Sequence, residues 1–320
     1  MQTYIIRRLV LIIPTLFLVT LIVFFSVRFV PGSIIDVMML QLRSMTLSSE
    51  EISQNTLRAS LGMDVPIPVQ YGRWMSGVVR GDFGKSLWTH KSISTSLAEK
   101  LPISIELGII AIITGLIVAL PIGIFSAIRQ DTALDYVGRT IAILFISVPG
   151  FWIGTMVMVY PAIWWGWTPP MQYIPFGQNL GGNLLQFVVP GFIMGMAMSG
   201  GTMRMTRTMM LEVLRQDYIR TAWSKGLAER TVIFRHALKN ALIPVVTIVG
   251  MQMPVLIGGT VILEQIFNLP GIGRFLVEAI TSRDYPVVSG VNIVLATFIL
   301  FINLIVDITY AYLDPRIHYT

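Results

Sequence analysis

Asp217–Pro244 reads DYIRTAWSKGLAERTVIFRHALKNALIP. It is the longest polar run in the central part of a chain that is otherwise mostly apolar. It carries Arg220, Lys225, Arg230, Arg235 and Lys239 and is broken by Gly226. Phe234, Leu238 and Leu242 repeat at i, i+4, i+8, and Ile219 and Trp223 repeat the same spacing before the glycine. The spacing predicts two short amphipathic helices. Gly226 is the residue able to take φ > 0 at a helix end, and Leu227 follows as the apolar contact of such an ending.

What flanks this stretch decides the fold class. The chain has 320 residues, 54% hydrophobic and 12% charged, about half the charge of a soluble domain. That much apolar surface cannot be buried in one aqueous core, so the composition predicts an all-α membrane protein with several spans. The net charge of +6 does not point to nucleic acid, because the basic residues sit mainly beside apolar runs, as membrane orientation requires. The chain contains no cysteine, which excludes a disulfide scaffold, a thiolate metal site and a cysteine nucleophile.

Six spans are expected. Leu9–Phe29 follows Arg7-Arg8 and is too long for the apolar region of a cleaved leader or twin-arginine signal. Residues 1–30 thus form the N-terminus and first span. Residues 31–101 form a polar extracytoplasmic segment with short helices of its own. Within it Gly81-Asp82-Phe83-Gly84-Lys85-Ser86 imitates half of a phosphate loop, but Val79 stands where the first glycine belongs. A turn hinged at Gly81 and Gly84 is the better reading. Residues 102–313 hold the other five spans: Pro102–Ile128, Asp135–Trp164 interrupted at Pro149-Gly150, Leu184–Met203 with a packing face at Gly191/Gly195, Ile243–Ile262 and Val287–Leu313. The polar connection at 204–242 contains the stretch quoted above, and 314–320 is a tail.

Lys and Arg fix the orientation. Arg7, Arg8, Arg129, Arg139, the cluster from Arg204 to Lys239, and Arg316 fall on one side; only Arg274 and Arg283 lie in the short connections opposite. That places both termini and Asp217–Pro244 in the cytoplasm. A basic loop lying on anionic lipid would satisfy the same rule. A tight helix–Gly–helix hairpin presents its bend as a rigid knob, from which a lipid-lying helix gains nothing, so a docking element is favoured.

Other chemistries find little support. A proton- or sodium-coupled carrier needs carboxylates near the midplane, whereas Arg28, Glu106 and Asp307 lie near span ends; a passive channel is less strongly opposed. His90, His236 and His318 are scattered, and no HExxH or GxSxG occurs, so an enzyme acting alone is disfavoured.

DYIRTAWSKGL followed by RHALKNALIP resembles the coupling loop (EAA loop) of ABC importer permeases, closest to the dipeptide/oligopeptide/nickel permease family. Leu61-Gly62-Met63-Asp64, Gln70-Tyr71, the Gly81–Ser86 run, Ser147-Val148-Pro149-Gly150-Phe151-Trp152, Asn268-Leu269-Pro270-Gly271-Ile272-Gly273, Arg283-Asp284-Tyr285-Pro286 and Leu313-Asp314-Pro315-Arg316 carry the likeness along nearly the whole chain. The resemblance implies a type I ABC importer permease fold in a bacterial or archaeal cytoplasmic membrane. It implies a sibling permease subunit, two ATPase subunits or a fused pair, an extracytoplasmic solute-binding protein and surrounding lipid. It implies no cofactor in this chain, with ATP and magnesium held by the ATPases, and no catalytic residue. Asp217, Ala222 and Gly226 occupy the motif's acidic, small and glycine positions, and Tyr218, Arg220, Thr221, Lys225 and Leu227 complete the ATPase-coupling set. Two departures are present: Trp223-Ser224 where many relatives have Arg-Ala, and Ala228 where many have Ser. Ala is the weaker N-cap by about 1 kcal/mol, which predicts a second helix that starts late or orders only on its partner. The family's solutes are peptides, glutathione, nickel chelates or oligosaccharides, and no residue of the path is assigned.

Overall fold

The computed structural model describes residues 2–29, 64–170 and 172–313, and these are helical throughout apart from turns and one bridge between Lys85 and Ser92. The helices are α1 (Gln2–Phe29), α2 (Ile67–Val79), α3 (Ile93–Ile128), α4 (Ala133–Ser147), α5 (Gly150–Trp165), α6 (Leu180–Leu214), α7 (Asp217–Ser224), α8 (Glu229–Thr231), α9 (Leu238–Ile266), α10 (Ile272–Thr281) and α11 (Tyr285–Leu313). Residues 31–63 of the expected 31–101 segment, with Leu61-Gly62-Met63, and the 314–320 tail lie outside the described residues. Among the described residues, five helices are long and apolar enough to cross a membrane, and α4 with α5 supplies a sixth candidate, bent by 89°. The protein is therefore a multi-pass membrane protein.

Three boundaries differ from the sequence expectation. α3 begins at Ile93 rather than Pro102, because a proline is tolerated in a membrane helix when neighbours satisfy the freed carbonyl. α6 does not stop at Met203 but runs on through Arg204 and Arg207 to Leu214; the Met, Arg, Leu and Glu residues there are good helix formers with nothing to break them. The interruption at Pro149 is a sharp corner rather than a kink. Val148 is extended (φ −90°, ψ 120°) and Pro149 caps α5 in an extended conformation, as the steric rule for a residue before proline requires.

The chain divides into two compact units. The first comprises residues 1–9, 100–274 and 298–320. In it α6 packs against α3, α4 and α9 around Leu107, Phe187, Met198, Val245 and Leu263. A Cβ on Gly195 would stand 2.6 Å from the Ala111 carbonyl oxygen and 2.4 Å from Thr114 Oγ1, so only glycine lets α6 approach α3 this closely. Near one end of α6, Arg207 donates from Nε and Nη2 to the two oxygens of Asp135, 2.7 Å each, and Ser126 donates to the same carboxylate. At the end of α9, buried Glu264 accepts from Ser104 Oγ (2.5 Å) and from the Arg274 amide (2.9 Å), while Ser104 Oγ accepts from the Ile272 amide (2.9 Å). The two side chains thereby satisfy amides at the start of α10 that no helical carbonyl can reach.

The second unit comprises residues 10–99 and 275–297. Thr20 and Tyr71 share a hydrogen bond of 2.8 Å, and Phe24 packs on Tyr71 and Trp74 at centroid distances of 5.1 and 5.5 Å, joining α1 to α2. Gly81 and Gly84 adopt φ of 77° and 85°, and the Asp82 carboxylate accepts the Gly84 amide. The half phosphate loop is thus a turn. Its serine is already engaged: Ser86 Oγ donates to Asp284 at 2.5 Å, and the Leu87 amide to the same carboxylate at 3.2 Å.

Candidate coupling site

α6 delivers the chain to a short corner at Arg215-Gln216, after which α7 runs from Asp217 to Ser224. Its apolar side is narrow. Ile219 and Ala222 are buried, three residues apart, and pack with Ile124 and Ala127 of α3 and Met210 of α6. Trp223, expected on that side, is exposed, because the position after Ala222 falls on the flank of so short a helix.

The helix ends as the glycine predicts. Gly226 takes φ 74°. The Leu227 amide donates to the Ala222 carbonyl (3.4 Å) and the Gly226 amide to the Trp223 carbonyl (2.9 Å). This pair of bonds is the Schellman ending. The chain then reverses at once. Ala228 is extended, without a side-chain cap bond, yet α8 starts at Glu229, with the Thr231 and Val232 amides donating to the Ala228 carbonyl. The expected late start is not found: backbone bonding at the first turn suffices without a hydroxyl.

The second leg is also not a separate short helix. α8 passes through a π-helical turn, Val232–Ala237, directly into α9. Its buried ridge is Ile233, Ala237, Ala241 and Val245, with Val232 beside it. The expected ridge of Phe234, Leu238 and Leu242 lies one residue round: Phe234 is exposed and the other two are half-buried. Small alanines form the close contact, and the bulky residues are turned away.

Of the eight residues assigned to coupling, Asp217, Tyr218, Arg220, Thr221, Lys225, Gly226 and Leu227 are exposed and together form the outside of the bend. Ala222 is not part of that surface; it is the packing residue beneath it. Trp223 to Arg230 is exposed without interruption, and Arg220, Lys225, Arg230 and Arg235 give the surface a positive balance against Asp217 and Glu229. Asp217 and Arg220 pair at 3.4 Å in full solvent exposure, a contact of little energetic weight. A tie between the two legs escaped the sequence reading: Asn240 Nδ2 donates to the Tyr218 hydroxyl at 2.8 Å. Nothing in the sequence pairs these two residues, since they meet only when the hairpin closes. The bend is thus apolar and packed below, polar, basic and partly aromatic above, with no titrating or nucleophilic cluster. Its geometry suits contact with another protein.

Comparison with known proteins gives this geometry its context. Residues 119–319 match the family described as binding-protein-dependent transport system inner membrane component, and residues 1–108 match that family's N-terminal component. The chain is 38% identical over 343 residues to the dipeptide transport system permease protein DppB of Alkalihalophilus pseudofirmus, covering 100% of both chains. It is 35% identical over 342 residues to the DppB of Escherichia coli K12, covering 100% of this chain and 99% of that one. Among solved structures, an inward-facing form of the MetNI methionine ABC transporter shares the fold with a TM-score of 0.54 at 14% identity, covering 68% of this chain and 96% of that one. Apolar helices in this number, a basic hairpin at the end of α6 and these full-length matches lead to one conclusion: the chain belongs to the binding-protein-dependent transport system inner membrane component family, as a permease subunit of an ABC importer.

Proposed function

We propose that the outer face of the hairpin, from Asp217 to Leu227, is where this permease receives the motion of separate ATPase subunits. The observation that carries this reading is an exposed bend on a fixed base. Trp223–Arg230 is open to contact, while Ile219 and Ala222 anchor it to α3 and α6. A surface meant only to lie on lipid needs neither the reversal at Gly226 nor the tie from Asn240 to Tyr218. In this reading ATP and magnesium are bound by the ATPases. A sibling permease forms the other half of the path, and an external binding protein delivers the solute. Both termini and the hairpin face the cytoplasm, as the distribution of arginine and lysine favours.

For the solute, the relatives from Alkalihalophilus pseudofirmus and Escherichia coli bear dipeptide transport in their names, and the same class of solute, a peptide, fits this permease. Nickel chelates, glutathione and oligosaccharides are the family's other possibilities, and uptake of a labelled dipeptide by cells carrying the complete importer tests the choice. The coupling role is tested by copurification. Charge reversal at Arg220 and Lys225 should reduce recovery of ATPase subunits with the tagged permease. Unchanged recovery would refute the docking surface.

A further inference from the structure

Away from the hairpin, α3, α4 and α6 enclose a cavity of about 390 Å³. It is large enough for a small ligand or the headgroup end of a larger one. Three arginines line it, and they are not equivalent. Arg207 is neutralised by Asp135, which accepts from two of its three nitrogens and also from Ser126. Arg139 and Arg204 are exposed on the rim. Neither has a carboxylate within 4 Å among the described residues; Arg139 lies over the Tyr136 ring at 5.4 Å. The cavity therefore keeps two uncompensated guanidinium groups. Its wall continues along α4 as Ile143 and Ile146, which are 63% and 50% exposed.

We propose that this cavity is a binding site for an acidic glycerophospholipid, its phosphodiester held between Arg139 and Arg204 and an acyl chain laid along Ile143 and Ile146. The charge arrangement selects the class. A guanidinium offers paired donors that match phosphate oxygens, and a basic pocket between membrane helices is where such headgroups settle. The apolar wall distinguishes a lipid from a free anion, since inorganic phosphate gains nothing from two exposed isoleucines. A zwitterionic headgroup is disfavoured because it brings its own cation against two arginines. Asp135 makes the selection possible by removing Arg207 from the balance, which keeps the third charge from drawing the phosphate deeper.

The test uses the purified full chain in detergent, titrated separately with phosphatidylglycerol, phosphatidylcholine and inorganic phosphate, and read by thermal unfolding and native mass spectrometry. Phosphatidylglycerol should raise Tm and remain bound; the other two should do neither. The double variant R139Q/R204Q should bind phosphatidylglycerol about thirtyfold more weakly, from about 1 kcal/mol per arginine. I143W, which blocks the apolar wall and leaves both arginines, should also weaken it, and decides the matter if the double variant does not fold. Equal retention of the two lipids, or unchanged binding by I143W, overturns the proposal. A shift reproduced by inorganic phosphate reduces the site to an anion site and overturns the lipid reading. Quantitative cross-linking of a cysteine placed at Ile146 to a co-purifying membrane subunit would show that a protein covers the wall instead.

Discussion

Arg207 holds Asp135 through two nitrogens, Nε and Nη2, each 2.7 Å from a different carboxylate oxygen. The pair joins α4 to α6 where Asp135 is fully buried. Removing one partner leaves a buried charge without compensation, which typically costs about 3–5 kcal/mol, whereas replacing both with neutral residues costs far less. Arg207→Met should therefore lower the thermal midpoint of the purified protein sharply, and D135N/R207M should recover most of the loss. A double variant as unstable as the single one would show that the pair is not what joins these helices.

Gly226 sits at φ 74° in open space, so a substitution there meets backbone strain and no clash. An L-residue in this region costs about 1–2 kcal/mol, more when β-branched. Gly226→Val should displace the bend while the packed base at Ile219 and Ala222 keeps the chain folded. The expected outcome in the assembled importer is ATP hydrolysis retained and transport lost, with only a small fall in the permease's midpoint. Full transport in that variant would remove the hairpin from the coupling route.

Ser86 and Asp284 join two distant parts of the second unit through a charge-assisted bond. Such a bond contributes about 1.5–3 kcal/mol. Ser86→Ala should accelerate hydrogen exchange at the Leu87 amide, which shares the Asp284 carboxylate. Ser86→Thr, which keeps the hydroxyl, should restore protection. Equal exchange in all three proteins would show that the turn is held by other contacts.

Burial pushes the Glu264 carboxyl above its ordinary value of 4.5, against the opposing pull of hydrogen bonds from Ser104 and the Arg274 amide. A folded-state pKa raised above the unfolded one stabilises the protein in full below about pH 4.5 and loses that contribution as pH rises through the folded value. Glu264→Gln should flatten this part of the stability–pH profile, measured as thermal midpoint against pH. A profile identical to wild type would assign the dependence to another group.

Much of this architecture is legible in the sequence, for reasons that also mark the limits. The spans follow from length and apolarity, and Gly226 from the need for a left-handed residue at a tight reversal. The buried face of the second hairpin leg differs from the expected one because periodicity ranks ridges by bulk, whereas close helix contact selects small residues: Phe234, Leu238 and Leu242 look like a core ridge while Ala237 and Ala241 make the close contact. The partnership of Asp135 with Arg207 was out of reach for a different reason. One residue reads as the start of a span and the other as part of a basic loop, and only the extension of α6 past Met203 brings them level. For the coupling set, the sequence supplied the exposed positions but not the distinction between Ala222, which packs, and its neighbours, which do not.

The corner at Pro149 bears on how the chain is threaded. α4 and α5 have 15 and 16 residues, so each is roughly 23 Å long at about 1.5 Å per residue, short of a hydrocarbon thickness of ~30 Å. Neither traverses the bilayer alone. Inclined symmetrically about their 89° bend, they rise about 16–17 Å apiece, about 33 Å together, which matches that thickness. Counted as one span, the two half-traverses bring the candidate spans among the described residues from five to six, an even number. In the proposed orientation this parity is what keeps Arg139, the hairpin and both chain ends on one side, and a single extended residue before a proline sets it.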